Sequence, residues 1–348
     1  MAITIKDVAR AAGVSPATVS KVINNKMYVS PETREKVLQV MKQLNYVPNM
    51  AAANLASQTS KIVLYADSFH KGIPYKNPHM FDIICGVSHE LNRKKYYLSL
   101  LNIESGEKNV RDFLEEKILS HIADGIIMNG ALATPQIESL MLRYDFPHLC
   151  IGKPEFETVL SWIDINNSLS ANLAVEHLFE CGCRKIAFMG DHKSDKIFMD
   201  RLHGFRSAMK SVGLEVREEY ISYNDPDVNS IYASALQMLE HSDPPDGIIC
   251  TNSFMIVGTM RAIEAKGLHI PDEICLVAFD DFPYSSAVPI STTIVDIDLF
   301  SLGVHAGNVL MKKIKDPAML IQTYTALPHL LVRGTTRHVS ESENKVPK

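Results

Sequence analysis

VSPATVSKVINN, residues 14–25, reads as a very short helix with an unusual outer face. Ser15 can cap it, and Pro16 can occupy its first position, where a missing N–H is no loss. Val19, Val22 and Ile23 form one apolar stripe at helical spacing. The other face holds Pro16, Ala17, Thr18, Ser20, Lys21 and Asn24, all small or hydrogen-bonding. Such a face is low and flat enough to lie against another surface.

The flanking sequence supplies two partners for this helix. Thr4 with Asp7 three residues on has the form of a capping box, and Gly13 is a natural stop. Val8 and Ala12 then face inward. Ser30-Pro31 opens a third helix that carries Val37, Val40, Met41 and Leu44 on one side, and Asn45-Tyr46 ends it. A short helix, a tight glycine turn, a second short helix and a longer brace make a helix-turn-helix unit. The free N–H groups and dipole at the second helix's N-terminus favour nearby phosphates, and its small polar face suits a DNA major groove.

Charge agrees with this. Residues 1–60 contain seven basic and three acidic side chains, so this segment carries +4 while the whole chain carries −5. A basic head on an acidic body fits nucleic-acid contact confined to one end.

At 348 residues the chain exceeds one ordinary core, and 46% hydrophobic with 22% charged residues is a globular composition. No apolar run approaches the ~18 residues of a membrane span. The charged N-terminus MAITIKDVARAAG does not read as a signal peptide, so a cytoplasmic protein is expected. The six cysteines (85, 150, 181, 183, 250, 275) lie mostly in apolar runs, as reduced, buried thiols would.

From Lys61 the pattern changes to buried strands alternating with amphipathic helices. The runs 62–67, 96–102, 124–129, 146–152, 184–190, 246–252 and 274–281 read as strands. Helices are expected near 80–94, 107–121, 168–181, 199–212, 229–241, 254–266 and 299–314. This alternation implies parallel sheets in open α/β layers, which bind ligands at the carboxyl ends of their strands. The tetrapeptide DGII occurs at 124–127 and again at 246–249, an echo that suggests two similar lobes.

The run ITIKDVARAAGVSPATVSKVINN…VSPETREKVLQVMKQLNYVPN, residues 3–49, resembles the N-terminal signature of the lactose/galactose repressor (LacI/GalR) family. The likeness continues more loosely to about residue 338. It implies an all-α helix-turn-helix head over 1–48, a hinge helix and linker over 49–60, and a two-lobed α/β domain over 61–338. That domain is periplasmic-binding-protein-like, with parallel sheets. Lobe one is expected over about 61–162 and 293–323, lobe two over about 163–290 and 326–338. Three crossovers near 162–165, 289–293 and 323–327 join them. The tail 339–348 is expected to be disordered.

The resemblance implies a homodimer on pseudo-palindromic double-stranded operator DNA. It places base reading at Pro16, Ala17 and Lys21, and phosphate contact at Ser15, Thr18, Asn24, Tyr28, Ser30 and Thr33. Ala52 and Leu55 take the minor-groove positions of the hinge, where an apolar side chain wedges between base steps. The family usually has arginine where Ala53 stands.

For a small-molecule effector, the resemblance points to Ser68, Phe69, Lys153, Asp164, Arg201, Asn252 and Asp280, with Asp67 and Gly152 alongside. Gly152 replaces a frequent aspartate, Lys153 adds a cation and Ser253 replaces an acid. Fewer acids and an added lysine favour a negatively charged effector, a sugar phosphate or sugar acid, within the sugars and sugar derivatives that the resemblance implies. An ion pair between lobes is the alternative role for Arg201, and a turn cap the alternative for Asp164. The basic loop 68–81 reads equally as a lid or a solvated insertion.

No Walker loop, G-x-G-x-x-G, H-E-x-x-H or G-x-S-x-G occurs, and neither a cofactor nor a catalytic site is expected. The reading is therefore a ligand-responsive transcriptional regulator, most simply a repressor of carbohydrate-metabolism genes, with an activator as the variant. A transport solute-binding protein shares the two-lobed form but lacks a reason for the helix-turn-helix.

Overall fold

The computed structural model describes residues 3–23, 28–47, 59–69, 79–103, 110–190, 196–225, 227–252, 255–281 and 288–337. The expected hinge with Ala52 and Leu55, the contact residue Asn24, most of the 68–81 loop and the 339–348 tail lie outside the described residues.

Three helices form the head: α1 (Ile5–Ala12), α2 (Pro16–Ile23) and α3 (Pro31–Gln43). Val8, Ala9, Ala12, Val19, Val22 and Val37 close a small core between them. Gly13 sits at φ +67°, the left-handed conformation that lets the chain reverse after α1. At the start of α1, Asp7 accepts from the backbone N–H of Thr4 at 3.0 Å and from its hydroxyl at 2.7 Å.

The remaining strands form two six-stranded sheets. In the first, β1 (Ile62–Asp67), β2 (Tyr97–Asn102), β3 (Gly125–Asn129), β4 (His148–Ile151), β5 (Trp162–Ile165) and β11 (Thr323–Ala326) lie in the order β11-β5-β4-β3-β1-β2. In the second, β6 (Ile186–Gly190), β7 (Ile221–Tyr223), β8 (Gly247–Cys250), β9 (Cys275–Phe279), β10 (Thr293–Asp296) and β12 (His329–Leu331) lie in the order β12-β10-β9-β8-β6-β7. Among the pairings, β10–β12 is antiparallel and the others are parallel.

Helices cover both faces of each sheet, as parallel strands buried on two sides require. The first sheet is flanked by α4 (His79–Arg93), α5 (Val110–Leu119), α6 (Pro135–Arg143) and α11 (Leu299–Lys315). The second is flanked by α7 (Asn167–Glu180), α8 (Lys196–Ser211), α9 (Val228–Leu239) and α10 (Met255–Ala265). Helix α6 was not among the expected helices, although Thr134 caps it through Ile137 N at 3.3 Å and Pro135 opens it.

The DGII echo is structural. β3 and β8 hold equivalent places, each between the first and fourth strands of its own lobe. The aspartate before each strand clasps the start of its neighbour. Asp124 accepts from Ser60 N at 2.7 Å, Ser60 Oγ at 2.9 Å and Lys61 N at 3.1 Å. Asp246 accepts from Arg184 N at 3.0 Å and Lys185 N at 2.9 Å.

Strand membership corrects the expected lobe borders. β5 pairs with β4 and β11, so lobe one runs through Ile165 rather than ending at 162. β10 pairs with β9, so the chain from 293 is still in the second lobe and crosses only at 297–298. The third passage follows Ala326. In each case a strand completes its hydrogen-bonded ladder before the chain leaves the sheet.

Candidate functional site

Two regions collect the sequence-derived residues. The first is the outer face of the head. Pro16, Ala17 and Lys21 are exposed along α2, and Tyr28 is 93% exposed just beyond it. The motif Ser-Pro-x-Thr starts both α2 and α3 and builds the same device twice. Ser15 Oγ accepts from Thr18 N at 3.1 Å and bonds the Thr18 hydroxyl at 2.9 Å. Ser30 Oγ accepts from Thr33 N at 3.3 Å and donates to the Thr33 hydroxyl at 2.8 Å. Both serines remain exposed, so capping leaves them on the surface with the helix N-termini.

The second region is where the two sheets' carboxyl ends and the crossovers meet. In lobe one, Asp67 ends β1 and is buried. It accepts from Ser68 N at 2.8 Å, and Asn129 Nδ2 reaches its two oxygens at 3.2 and 3.3 Å. Burial raises its pKa above the ordinary carboxylate value, against the opposing pull of those hydrogen bonds. Phe69 N donates to Asn102 Oδ1 at 2.7 Å, which pins the turn after β1. Asp164 is occupied by main chain: Oδ2 accepts from Lys153 N at 2.9 Å and Oδ1 from Ile165 N at 2.7 Å. The Lys153 ammonium lies 5.7 Å from the centre of the Trp162 ring.

In lobe two, Arg201 on α8 is 7% exposed. Its Nε donates to Asn167 Oδ1 at 3.0 Å, one terminal nitrogen donates to the Thr251 carbonyl, and the other lies 3.5 Å from Asp280 Oδ2. The guanidinium also sits 4.7 Å from the Phe279 ring centre. The Arg201–Asp280 pair therefore lies inside one lobe, not between two. Asn252 accepts from Met255 N at 3.1 Å and so caps α10.

Asp280 and Asp281 serve different partners. Asp280 follows β9 at φ +67° and faces Arg201, whereas Asp281 receives both terminal nitrogens of Arg333 at 3.1 and 2.6 Å.

Two cavities open beside the crossovers. One, of about 440 Å³, is lined by Asp82, Asp280, Asp281, Asp296, Asp298 and His329, with Ile297, Leu299 and Phe300. The other, of about 360 Å³, brings Lys153 and Asp164 together with Trp162, Lys196, Asp200 and His203. Ser68, Phe69, Arg201 and Asn252 line neither. Asn129 and Asn167, which hold Asp67 and Arg201, were not anticipated. The signal for Asn129 was present, since DGIIMN and DGIICTN each end in asparagine near the end of an equivalent strand.

Among the described residues, no helix is long and apolar enough to cross a membrane. Residues 4–49 match the family described as bacterial regulatory proteins, lacI family, and residues 175–336 match a periplasmic binding protein-like domain. The HTH-type transcriptional repressor PurR of Photobacterium profundum is 27% identical over 339 residues, covering 97% of this chain and 99% of that protein. PurR of Vibrio cholerae serotype O1 is 28% identical over 343 residues, covering 97% and 99%. The solved lac repressor dimer bound to operator and the anti-inducer ONPF aligns with a TM-score of 0.81 at 25% identity, over 97% of this chain and 99% of that one. A complex of the transcriptional regulator CelR with cellobiose aligns with a TM-score of 0.70 at 25% identity, over 96% and 99%. The chain thus joins a helix-turn-helix head that matches the lacI family of bacterial regulatory proteins to a periplasmic binding protein-like domain, and over nearly its whole length it is similar to PurR repressors and to the lac repressor.

Proposed function

We propose that this protein is a cytoplasmic, homodimeric transcriptional repressor that binds pseudo-palindromic double-stranded operator DNA and is switched by a small, hydroxyl-rich effector. The observation that carries the DNA reading is the exposed Pro16–Ala17–Lys21 face beside two capped helix N-termini. Lys21 is the base reader of the set, with an ammonium suited to guanine O6 and N7. Ser15, Thr18, Tyr28, Ser30 and Thr33 set register on the phosphates.

The effector belongs in the cleft between the lobes, where binding shifts the balance between two lobe arrangements. A neutral sugar fits the lining better than a sugar phosphate or sugar acid. Arg201 already faces Asp280, and the larger cavity is walled by five aspartates. Carboxylates accept from sugar hydroxyls and repel anions. The named relatives divide on this point, one group being PurR repressors and one solved regulator holding cellobiose.

A thermal-shift panel of neutral sugars, sugar phosphates, sugar acids and nucleobases, with Trp162 fluorescence alongside, tests the reading. A ligand at 100 times its Kd adds about 2.7 kcal/mol to stability. Neutral sugars are expected to raise the melting temperature and to change operator affinity in a gel-shift assay. A response to nucleobases alone, or to phosphates alone, overturns the choice of effector and leaves the DNA reading intact.

A further inference from the structure

The smaller of the two cavities is built by two rows of side chains, one from each lobe. Lys153, Trp162 and Asp164 come from lobe one, and Lys196, Asp200 and His203 from lobe two. Trp162 and Asp164 stand two apart on β5 and so share a face of that strand. Lys196, Asp200 and His203 follow the i, i+4, i+7 spacing of one face of α8. At about 360 Å³ the space is the size of a small-molecule site.

The charges around this space are unequally engaged. Asp164 accepts from Lys153 N at 2.9 Å with one oxygen and from Ile165 N at 2.7 Å with the other. Asp200 holds the Lys196 ammonium. Among the described residues, no carboxylate pairs with the Lys153 ammonium, whose contact is the Trp162 ring 5.7 Å away, and none pairs with His203. An ammonium on one lobe and an imidazole on the other thus line a space that the neighbouring carboxylates do not fill. Asn167 and Ser168, in the opening turn of α7, line it too, and the helix adds partial positive charge there.

The ligand that matches this set is an anion. A phosphate group presents three acceptor oxygens to separate donors, and lysine binds it as a point charge. A carboxylate offers two oxygens in one plane and is matched by an arginine fork, but no arginine is among the described residues lining this cavity. The Trp162 indole and Ile165 supply an apolar wall for a carbon skeleton.

We propose that this cavity is a second ligand site, for a phosphate monoester held between Lys153 of lobe one and Lys196 and His203 of lobe two. It is separate from the aspartate-walled cavity, and it stands whichever small molecule that cavity takes. The cation added at Lys153 serves an anion here, not beside Arg201 and Asp280. Because its contacts come from both lobes, the ligand favours one lobe arrangement over another. It also acts on α8, which carries Arg201 as well as the row facing this cavity. Arg201 Nε donates to Asn167 Oδ1 at 3.0 Å, and Asn167 itself lines the second site. A ligand at either cavity therefore changes affinity at the other by the same factor.

The test is calorimetric titration of the full-length protein with glucose 1-phosphate, inorganic phosphate and glucose at fixed ionic strength. Trp162, the sole tryptophan and part of the cavity wall, is followed by fluorescence in the same samples. Glucose 1-phosphate is expected to bind saturably with a fluorescence change. Lys153→Gln and His203→Gln should each weaken that binding at least tenfold. Both side chains are exposed, and circular dichroism checks that the variants remain folded. An equal affinity for inorganic phosphate supports the site and makes the free anion its ligand. The proposal is overturned if neither phosphate binds saturably, or if glucose binds as tightly as its phosphate. It is equally overturned if both variants bind as the parent does, which places the anion elsewhere, the head included.

Discussion

Asn129 reaches both carboxylate oxygens of Asp67, at 3.2 and 3.3 Å, and so joins the ends of the paired strands β1 and β3 of the first lobe. Asp67 is a buried acid whose charged form depends on this amide and on Ser68 N. Asn129→Ala should cost about 1.5–3 kcal/mol at neutral pH, the range for a hydrogen bond to a buried charged group. A raised carboxyl pKa adds stability at low pH and loses it as pH rises through the folded-state value. The penalty should therefore shrink in acid, where Asp67 is protonated. Urea unfolding at two pH values checks both statements.

His148 gives the opposite sign. Burial and the nearby Lys313 cation lower its pKa from 6.5 to about 4. Its neutral form bonds the Phe146 carbonyl at 2.7 Å. The unfolded chain binds the proton first as pH falls, so stability present above pH 6.5 should drain away toward about pH 4. The contribution is at most about 3 kcal/mol. His148→Asn keeps a donor for Phe146 O while removing the titration, and should flatten the acid limb of a melting-temperature profile.

Lys21 is exposed and should separate binding from stability. Lys21→Ala should weaken operator binding by about 1–3 kcal/mol if it reads a base edge, and relax preference at one base pair. Its melting temperature should stay unchanged. Ser30→Ala should instead lower the stability of the head by about 1 kcal/mol through loss of the α3 cap. Fluorescence anisotropy on operator and on mismatched duplexes, with thermal melts, distinguishes these outcomes.

Arg201 and Asp280 are both buried, and removing one leaves the other charge without its partner. Arg201→Met should destabilise the regulatory domain by about 3–5 kcal/mol. Adding Asp280→Asn should recover part of the loss, because asparagine tolerates the left-handed backbone at this position. A double-mutant cycle by chemical denaturation measures the coupling.

Six of the seven strand runs read from the sequence are buried in the sheets, where continuous apolar stretches such as IVLYAD and IAFMG leave little ambiguity, and the seventh, β2, is a largely exposed edge strand whose six residues still read as strand. β7, β11 and β12 escaped because they are sheet-edge strands of three or four residues, partly exposed and polar enough to pass for loop. β5, β10 and β11 fall at the three expected crossovers, because the family pattern marks where the chain changes lobe, not where a ladder ends. At the site, strand-end positions such as Asp280 could be placed from the sequence. Their holders could not. Asn167 lies 34 residues from Arg201, and Asn129 lies 62 from Asp67, so only tertiary register joins them.

The twin aspartate clasps carry unequal loads. Asp246 fastens Arg184 and Lys185, which link two parts of the same lobe. Asp124 fastens Ser60 and Lys61, the residues through which the chain from the head enters the first lobe. What is a sheet fastening in one lobe is, in the other, a mooring for everything upstream. A tilt of the first lobe is delivered to that incoming chain at a fixed point, with no slack between the sheet and the tether.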